Sequence, residues 1–170
     1  IGVVIGHEMT HGFDDQGSQF DKEGNLRNWW TPQDKANFKA RTQRMIRFFD
    51  GIEVLPGLHC NGALTCGENI ADHGGLKVAY QAFRNATSSR PLADFGGFTP
   101  DQRFFISYGQ IWANNIRPEA LRNQVKTDPH APARWRVNGA LPQIEAWYKA
   151  FGIKKGDKLF VPKNKRVDIW

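Results

Sequence analysis

The apolar positions of this chain recur every three to four residues over long stretches, which is the spacing of an amphipathic helix and not the alternation of a strand. Between these stretches lie shorter segments rich in Gly, Pro and polar residues, as is typical of loops. The pattern predicts at least five helices and little strand, and therefore a mainly α fold class. The segments with helical spacing are 1–11, 31–49, 68–86, 99–112, 118–125 and 142–151.

Two of these helices begin with the same signature, a threonine followed by a proline. Thr31 and Thr99 are suited to cap a helix, since a threonine hydroxyl can accept a hydrogen bond from a free backbone N–H, and proline is favoured at the first helical position. Gly152 is suited to end the last helix. The apolar stripe of the second segment, which includes Met45 and Phe49, predicts a helix that faces the core.

Four segments interrupt the helical pattern, one of which is a predicted loop at 88–98. Segments 14–30 and 127–135 are predicted to be irregular, and segment 51–67 to be irregular or briefly extended. Inside the third predicted helix, Gly74 and Gly75 are unexpected, because each weakens a helix by about 1 kcal/mol relative to alanine. They would be explained if another part of the protein approached the backbone closely at this point.

The composition is that of a globular domain of 170 residues, of which 40% are hydrophobic. No apolar run approaches the roughly 20 residues that a membrane-spanning helix needs. The chain begins at Ile1 with an apolar, helix-like run and no capping residue before it, so we expect residues 1–170 to be one part of a longer protein. Cys60 and Cys66 are close enough in sequence to bridge a short loop, and free thiols are an equally open alternative.

The formal net charge of +6 raises the question of an anionic partner. The Lys and Arg residues are scattered through the helical segments, with one cluster in KKGDKLFVPKNKR near the end of the chain. This distribution is typical of a solvated surface. We therefore predict no nucleic-acid partner.

The first segment contains the motif HExxH in IGVVIGHEMTHGFDD. Two histidines four residues apart lie on the same face of a helix, where their imidazoles can bind one zinc ion, and the glutamate between them can activate a bound water. With five His and six Glu in the chain, a chance match is on the order of 0.005. His7 and His11 are therefore predicted zinc ligands, and Glu8 is a predicted general base.

A catalytic zinc ion needs a third protein ligand and one open position. The variant of the motif with a third histidine six residues later is excluded, because Gly17 occupies that position. A glutamate from a second helix is the other common choice, and Glu68 in GENIADHGG is the strongest candidate. Asp72 follows one turn later on the same helix face, where it can hold the far nitrogen of a zinc-bound histidine, and Asp14 can do the same for the other imidazole.

The motifs HEMTHGFDD, NWWT, GENIADHGGL and KTDPHAPARWR, together with the terminal Trp170, resemble the neprilysin family of zinc metallopeptidases, which includes endothelin-converting enzyme and bacterial oligopeptidases. The similarity runs along nearly the whole chain. It implies one Zn²⁺ ion, bound by His7, His11 and Glu68, and small peptides as substrates. It also implies that the chain is the helical part of a thermolysin-like catalytic domain of α+β type.

The resemblance assigns roles to further residues. It implies that His130 stabilises the transition state and that Arg136 binds a carbonyl of the substrate backbone. In the family the aspartate at the position of Asp72 is also described as a proton donor, although its spacing favours the orientation of His7. A preference for a bulky apolar residue just after the cleaved bond is implied in the same way. His59 and His73 match no ligand position and are expected to be structural or solvated.

Several family features are missing from this chain. The upstream edge strand that binds the substrate backbone and the helical lobe that covers the cavity are both absent, so we expect the chain alone to be inactive. The family's cysteine before the terminal Arg-Val-Trp is absent from KRVDIW, which indicates a bacterial-type member. An extracytoplasmic location, with the parent protein periplasmic, secreted or membrane-anchored, is implied by the family alone. The alternative function is a zinc-stabilised binding module without catalytic activity.

Overall fold

The structure, a computed structural model, describes residues 1–169 and consists mainly of helices. The described residues form seven α-helices, four short 3₁₀ turns and one two-stranded antiparallel sheet, which confirms the predicted mainly α class. In chain order these elements are α1 (Gly2–Thr10), α2 (Pro32–Asp50), β1 (Glu53–Leu55), β2 (Leu58–His59), α3 (Cys66–Thr87), α4 (Pro100–Ile111), α5 (Pro118–Thr127), α6 (Ala133–Asn138) and α7 (Glu145–Phe151). Trp170, which contributes to the family resemblance, lies outside the described residues.

The predicted helix caps are present. The hydroxyl oxygen of Thr31 accepts a hydrogen bond from the backbone N–H of Asp34 at the start of α2. At the start of α4 the side chains of Thr99 and Gln102 each bind the other residue's backbone N–H, which forms a complete capping box. Gly152 ends α7 with a φ of 62°, a conformation that glycine adopts without strain.

Four boundaries differ from the prediction by two residues or more. Helix α5 ends at Thr127, two residues later than expected. The third helix begins at Cys66, two residues earlier than expected. The segment predicted to be irregular after Thr127 contains the first residues of α6. The predicted last helix is interrupted, since Leu141–Gln143 forms a 3₁₀ turn and α7 begins only at Glu145.

Two apolar clusters form the core, and α3 contributes to both. Ile70 near the start of α3 belongs to the first cluster, with residues of α2 and of the C-terminal segment, and Leu76 belongs to the second, with residues of α4 and α7. The first cluster consists of Met45, Phe49, Cys60, Cys66, Ile70, Ala131, Val167 and Ile169. The second consists of Leu76, Phe105, Tyr108, Ala140, Leu141, Ile144, Trp147 and Tyr148. The helix that carries Glu68 and Asp72 is thus fixed by packing on both sides.

Cys60 and Cys66 are both free thiols buried in the first cluster. Burial raises the pKa of Cys60 to about 11 and that of Cys66 to about 12, and nearby aspartates add to both shifts. Both side chains therefore act as apolar core residues.

None of the helices within residues 1–169 combines the length and the hydrophobicity that a membrane-spanning helix needs.

Candidate metal centre

Helix α1 presents two histidines to the same point. His7 and His11 are one turn apart, and their Nε2 atoms lie 3.1 Å from each other. His7 is 7% exposed and His11 is partly buried at the C-terminal end of the helix. The two rings are nearly perpendicular, so that they meet edge to face at their Nε2 corners.

Helix α3 brings the carboxylate of Glu68 to the same point. Its Oε2 atom lies 3.1 Å from Nε2 of His7, and its Oε1 atom lies 3.6 Å from Nε2 of His11. Among residues 1–169, these three residues are the one group of His, Cys, Asp and Glu side chains whose ligand atoms lie close enough together to bind a metal ion.

Two aspartates hold the opposite edges of the imidazoles. Oδ1 of Asp72 lies 2.9 Å from Nδ1 of His7, and Oδ2 of Asp14 lies 2.7 Å from Nδ1 of His11. Since a carboxylate accepts hydrogen bonds, each Nδ1 carries the hydrogen, and each Nε2 of the neutral rings is left with a free lone pair. Asp14 is itself fixed, because its Oδ1 accepts hydrogen bonds from the backbone N–H groups of Gln16 and Gly17.

These contacts fit a zinc ion. While both rings are neutral, three electron-pair donors converge without a hydrogen between them, and the buried Oε2 of Glu68 has no hydrogen-bond donor among the described residues. Such a set repels itself unless a positive charge lies at its centre. Zinc bonds of 2.0 to 2.2 Å in a tetrahedron place neighbouring ligand atoms about 3.4 Å apart. The observed separations of 3.1, 3.1 and 3.6 Å bracket that value.

The pKa values of the side chains also favour a positive charge at this point. Burial opposes protonation of His7, but its hydrogen bonds to Asp72 and Glu68 outweigh burial and raise its pKa to about 9. Burial likewise opposes ionisation of Glu68, yet the hydrogen bond from His7 and the neighbouring histidines lower its pKa. In the metal-free protein a proton on His7 therefore supplies the positive charge that a metal ion would otherwise supply at this point.

Arg136 joins the centre through Asp72. Its Nε and Nη2 atoms donate hydrogen bonds of 2.8 and 2.7 Å to the two carboxylate oxygens of Asp72. The guanidinium also lies over the ring of Trp112, 4.0 Å from the centroid, and Tyr108 donates a hydrogen bond to the backbone oxygen of Arg136. Asp72 therefore contacts both a predicted zinc ligand and the predicted substrate-binding arginine.

His130 approaches the centre from the segment between α5 and α6. Its Nε2 atom lies 3.2 Å from Oε2 of Glu68, and its Nδ1 atom lies 2.7 Å from Oδ1 of Asp128. That oxygen also accepts the backbone N–H of His130, which fixes the turn. The sequence motifs do not identify Asp128 as a site residue. An aspartate two residues before a histidine, in a turn that contains proline, is nevertheless a signal that could have predicted its contact with His130.

A cavity of about 140 Å³ opens beside the centre. Its polar wall contains Glu8 together with four other charged or titratable side chains, and its apolar wall comes from α1 and the end of α4. The polar residues are His7, Glu8, Asp72, His130 and Arg136, and the apolar or aromatic residues are Val3, Val4, Tyr108, Ile111 and Trp112. The arrangement places an acid or base, a hydrogen-bond donor and one of the three converging residues, His7, around one small space.

The two remaining histidines lie apart from the centre. His59 is exposed on β2, and His73 is 1% exposed inside α3. Neither ring nitrogen of His73 has a hydrogen-bond partner within the described part of the chain.

Comparison with known proteins identifies a peptidase family. The family model described as Peptidase family M13 matches residues 1–167. Neprilysin from Homo sapiens is 39% identical over 175 residues, which cover 100% of this chain and 23% of that protein. Endothelin-converting enzyme 1 from Rattus norvegicus is 40% identical over 173 residues, which cover 100% of this chain and 22% of that protein.

Solved structures are also similar to this chain, in both sequence and fold. The zinc metalloprotease Zmp1 of Mycobacterium tuberculosis, in complex with an inhibitor, matches with a TM-score of 0.95 and 40% identity, covering 99% of this chain and 26% of that one. PepO from Lactobacillus rhamnosis matches with a TM-score of 0.85 and 39% identity, covering 99% of this chain and 25% of that one. The chain thus spans about a quarter of the length of the proteins that it matches.

Proposed function

Since this chain belongs to peptidase family M13, we propose that it carries the zinc centre of a metallopeptidase that hydrolyses peptide bonds in small peptides. The observation that carries the proposal is the convergence of His7, His11 and Glu68 with their lone pairs directed at one point. The zinc metalloprotease among the similar structures supports the choice of metal.

In the proposed mechanism the metal and the side chains have separate chemical roles. When bound, a zinc ion supplies Lewis acidity, which lowers the pKa of a coordinated water toward about 7 and polarises the scissile carbonyl. Glu8 lines the cavity beside the centre and is the general base that takes the proton from water and passes it to the leaving amine. Asp72 and Asp14 keep the imidazoles of His7 and His11 in the tautomer and orientation that metal binding needs.

His130 and Arg136 act on the substrate in this proposal. Because Nδ1 of His130 donates its hydrogen to Asp128, the protonated ring can donate a second hydrogen bond from Nε2 to the oxyanion of the transition state. Such a donor is worth about 3 to 4 kcal/mol. Arg136 uses Nε and Nη2 to bind Asp72, which leaves Nη1 to hold a carbonyl of the substrate backbone.

The proposed substrates are small peptides with a bulky apolar residue just after the cleaved bond. The family resemblance suggests this preference, and the apolar wall of the cavity, with Ile111 and Trp112 near Arg136, supports it. A set of quenched peptides that differ only at this position tests the preference. Faster cleavage with Phe or Leu than with Gly or Asp is expected, and equal rates would contradict it.

Replacement of Glu8 tests the central assignment. In the natural full-length protein, Glu8→Gln is expected to retain zinc, because Glu8 is not one of the converging ligands, and to lose nearly all peptidase activity. Zinc content is measured by elemental analysis and activity with a quenched peptide. Glu119→Gln, at the exposed start of α5, is the matched control and should keep full activity. Activity of Glu8→Gln within tenfold of the parent would refute the role of general base.

A zinc-stabilised binding module is the alternative function. A structural zinc site has four protein ligands, whereas a catalytic site has three and an open position. The group of three ligand residues, with Glu8 and His130 beside it, favours catalysis. X-ray absorption of the zinc-loaded protein should therefore give three protein ligands and one oxygen from water, and a fourth protein ligand would favour the binding module.

We also propose that residues 1–170 alone do not hydrolyse peptides and that the full-length protein acts outside the cytoplasm. Measurable hydrolysis of a quenched peptide by the purified chain would overturn the first point. Fractionation of the native cells, with activity confined to the cytoplasm, would overturn the second.

A further inference from the structure

Helices α1 and α3 touch through their backbones at two glycines, Gly6 and Gly75. A Cβ atom at Gly75 would lie 2.6 Å from the carbonyl oxygen of Val3 and 2.7 Å from the backbone nitrogen of His7. A Cβ atom at Gly6 would lie 3.0 Å from the Cα atom of Gly75. Since all of these neighbours are backbone atoms, no side-chain rotation could relieve the contact.

The contact at Gly74 is of a different kind. A Cβ atom there would lie 2.6 Å from both Oγ1 and Cγ2 of Thr10, a buried residue of α1. Rotation about the Cα–Cβ bond of Thr10 would only exchange one of these atoms for the other. Here the obstacle is one side chain, and it can be removed by mutation.

We propose that Gly74 and Gly75 are positioning residues for the metal centre, which set the distance between α1, with His7 in it and His11 directly after it, and the helix that carries Glu68. This inference rests on the proposed function for its metal. Gly75 lies seven residues after Glu68, about two helical turns, and therefore on nearly the same face of α3. Its contacts on α1 are the carbonyl oxygen of Val3 and the backbone of His7, whose ring is one of the converging groups.

The distance by which a methyl group added at Gly75 must move determines its effect on the metal centre. An added methyl at Gly75 must move from 2.6 Å to at least the 3.4 Å of ordinary contact, a shift of about 0.8 Å. Metal sites require ligand distances within about 0.2 Å of their ideal values. The distances of 3.1 and 3.6 Å from Glu68 to the two histidines, and the hydrogen bond of 2.9 Å from His7 to Asp72, all cross this interface.

Helix propensity alone predicts the opposite result of an alanine substitution, so experiment can distinguish the effect of propensity from the effect of close helix approach. Alanine is a stronger helix former than glycine, and Gly74 and Gly75 lie inside a helix of 22 residues. If close approach did not matter, alanine at either position would leave metal binding unchanged and make α3 more stable.

The first experiment is Gly75→Ala in the natural full-length protein. Zinc affinity is measured by competition with a chromogenic chelator, and the absorption spectrum of the cobalt-substituted protein reports the ligand geometry. The affinity is expected to fall by about 10- to 100-fold with an altered cobalt spectrum, while circular dichroism stays that of the parent. Gly109→Ala in α4, where the Cβ atom would lie 3.8 Å from Val137, is the matched control and should bind zinc like the parent. Affinity within twofold of the parent and an unchanged spectrum in Gly75→Ala would overturn the proposal.

A rescue experiment keeps the test valid if Gly75→Ala does not fold. Gly74→Ala is expected to weaken zinc binding, and the double variant Gly74→Ala with Thr10→Ala to recover it, because the nearest remaining atom of residue 10 is then the Cβ at 3.2 Å. Recovery to within about threefold of Thr10→Ala alone supports the proposal. A double variant as impaired as Gly74→Ala, or a Gly74→Ala that binds like the parent, would overturn it.

The zinc measurements separate this proposal from the proposed function. A parent protein that binds zinc with three protein ligands but hydrolyses no peptide would refute the peptidase, and the effects of the glycine variants on zinc affinity would still decide the positioning role.

Discussion

At the scale of single residues, the candidate site depends on which nitrogen of each histidine carries a hydrogen. An aspartate accepts a hydrogen bond from Nδ1 in all three cases: Asp72 for His7, Asp14 for His11 and Asp128 for His130. For His7 and His11, the proposed metal ligands, this leaves a lone pair on Nε2. For His130 it means that Nε2 can donate a hydrogen bond only when it carries a hydrogen as well, while Asp128 fixes the orientation of the ring.

Replacing Asp128 tests this reasoning. Asp128→Asn removes the negative charge but keeps the size of the side chain, so kcat should fall about 10- to 100-fold, the range known for carboxylates that orient a histidine at a metal site. KM and zinc content should change little, because neither the ligands nor Arg136 is altered. Asp94→Asn, in an exposed loop, is the matched control. A kcat within twofold of the parent would exclude this role for Asp128.

His73 gives a prediction on stability. Burial, with the nearby charge of Lys77, lowers its pKa from 6.5 to about 4, although Asp168, 4.0 Å away, opposes the shift. The unfolded chain therefore binds more protons than the folded one between pH 6.5 and 4, so this residue destabilises the fold progressively as the pH falls through that window. The full effect at pH 4 is on the order of 3 kcal/mol.

The variant His73→Leu should remove this effect. Its melting temperature is expected to rise above that of the parent as the pH is lowered from 7 to 4.5, with the largest difference at the acid end. His59→Leu, on the exposed strand β2, is the control and should follow the parent. A constant difference between His73→Leu and the parent across this range would contradict the prediction.

At the scale of elements, local hydrogen bonds fix the starts of α2 and α4. Thr99 accepts a hydrogen bond from the backbone of Gln102, and Gln102 accepts one in return from the backbone of Thr99. Thr99→Ala should lower the free energy of unfolding by about 1 kcal/mol, and Thr99→Ser should restore most of it. Urea denaturation of the full-length protein, followed by tryptophan fluorescence, measures the difference. Equal stability of the alanine and serine variants would show that the cap contributes nothing.

Local signals of this kind explain what the sequence could predict about the elements. The helix starts at Thr31 and Thr99 and the end at Gly152 depend on neighbouring residues, and all three were predictable. The start of α6 after Pro132 and the 3₁₀ turn before Ile144 were not. Both are short segments next to core residues such as Ala131 and Leu141, where tertiary packing and not local propensity decides the conformation.

At the scale of the whole molecule, the site gathers residues from distant parts of the chain. His7, Glu68 and His130 come from the first helix, the third helix and a turn between the fifth and sixth. Motif spacing and family resemblance indicated which residues belong together, and the structure brings them together. The distances between them could not be predicted, because they depend on the close approach of α1 and α3 at Gly75 and on the packing of α3 in both core clusters.

Removal of the metal should therefore lower the thermal stability of the whole molecule. A cation bound by His7 and Glu68 links α1 to α3 across 61 residues of sequence, and binding to the folded state alone stabilises it by about 4 kcal/mol when free zinc is 1,000 times its dissociation constant. We expect a strong chelator to lower the melting temperature of the full-length protein and added zinc to restore it. Glu68→Gln should start from a lower melting temperature and respond far less to the chelator, because one ligand of the link is already weakened. If the parent loses its zinc without any change in melting temperature, the ion does not join the two helices.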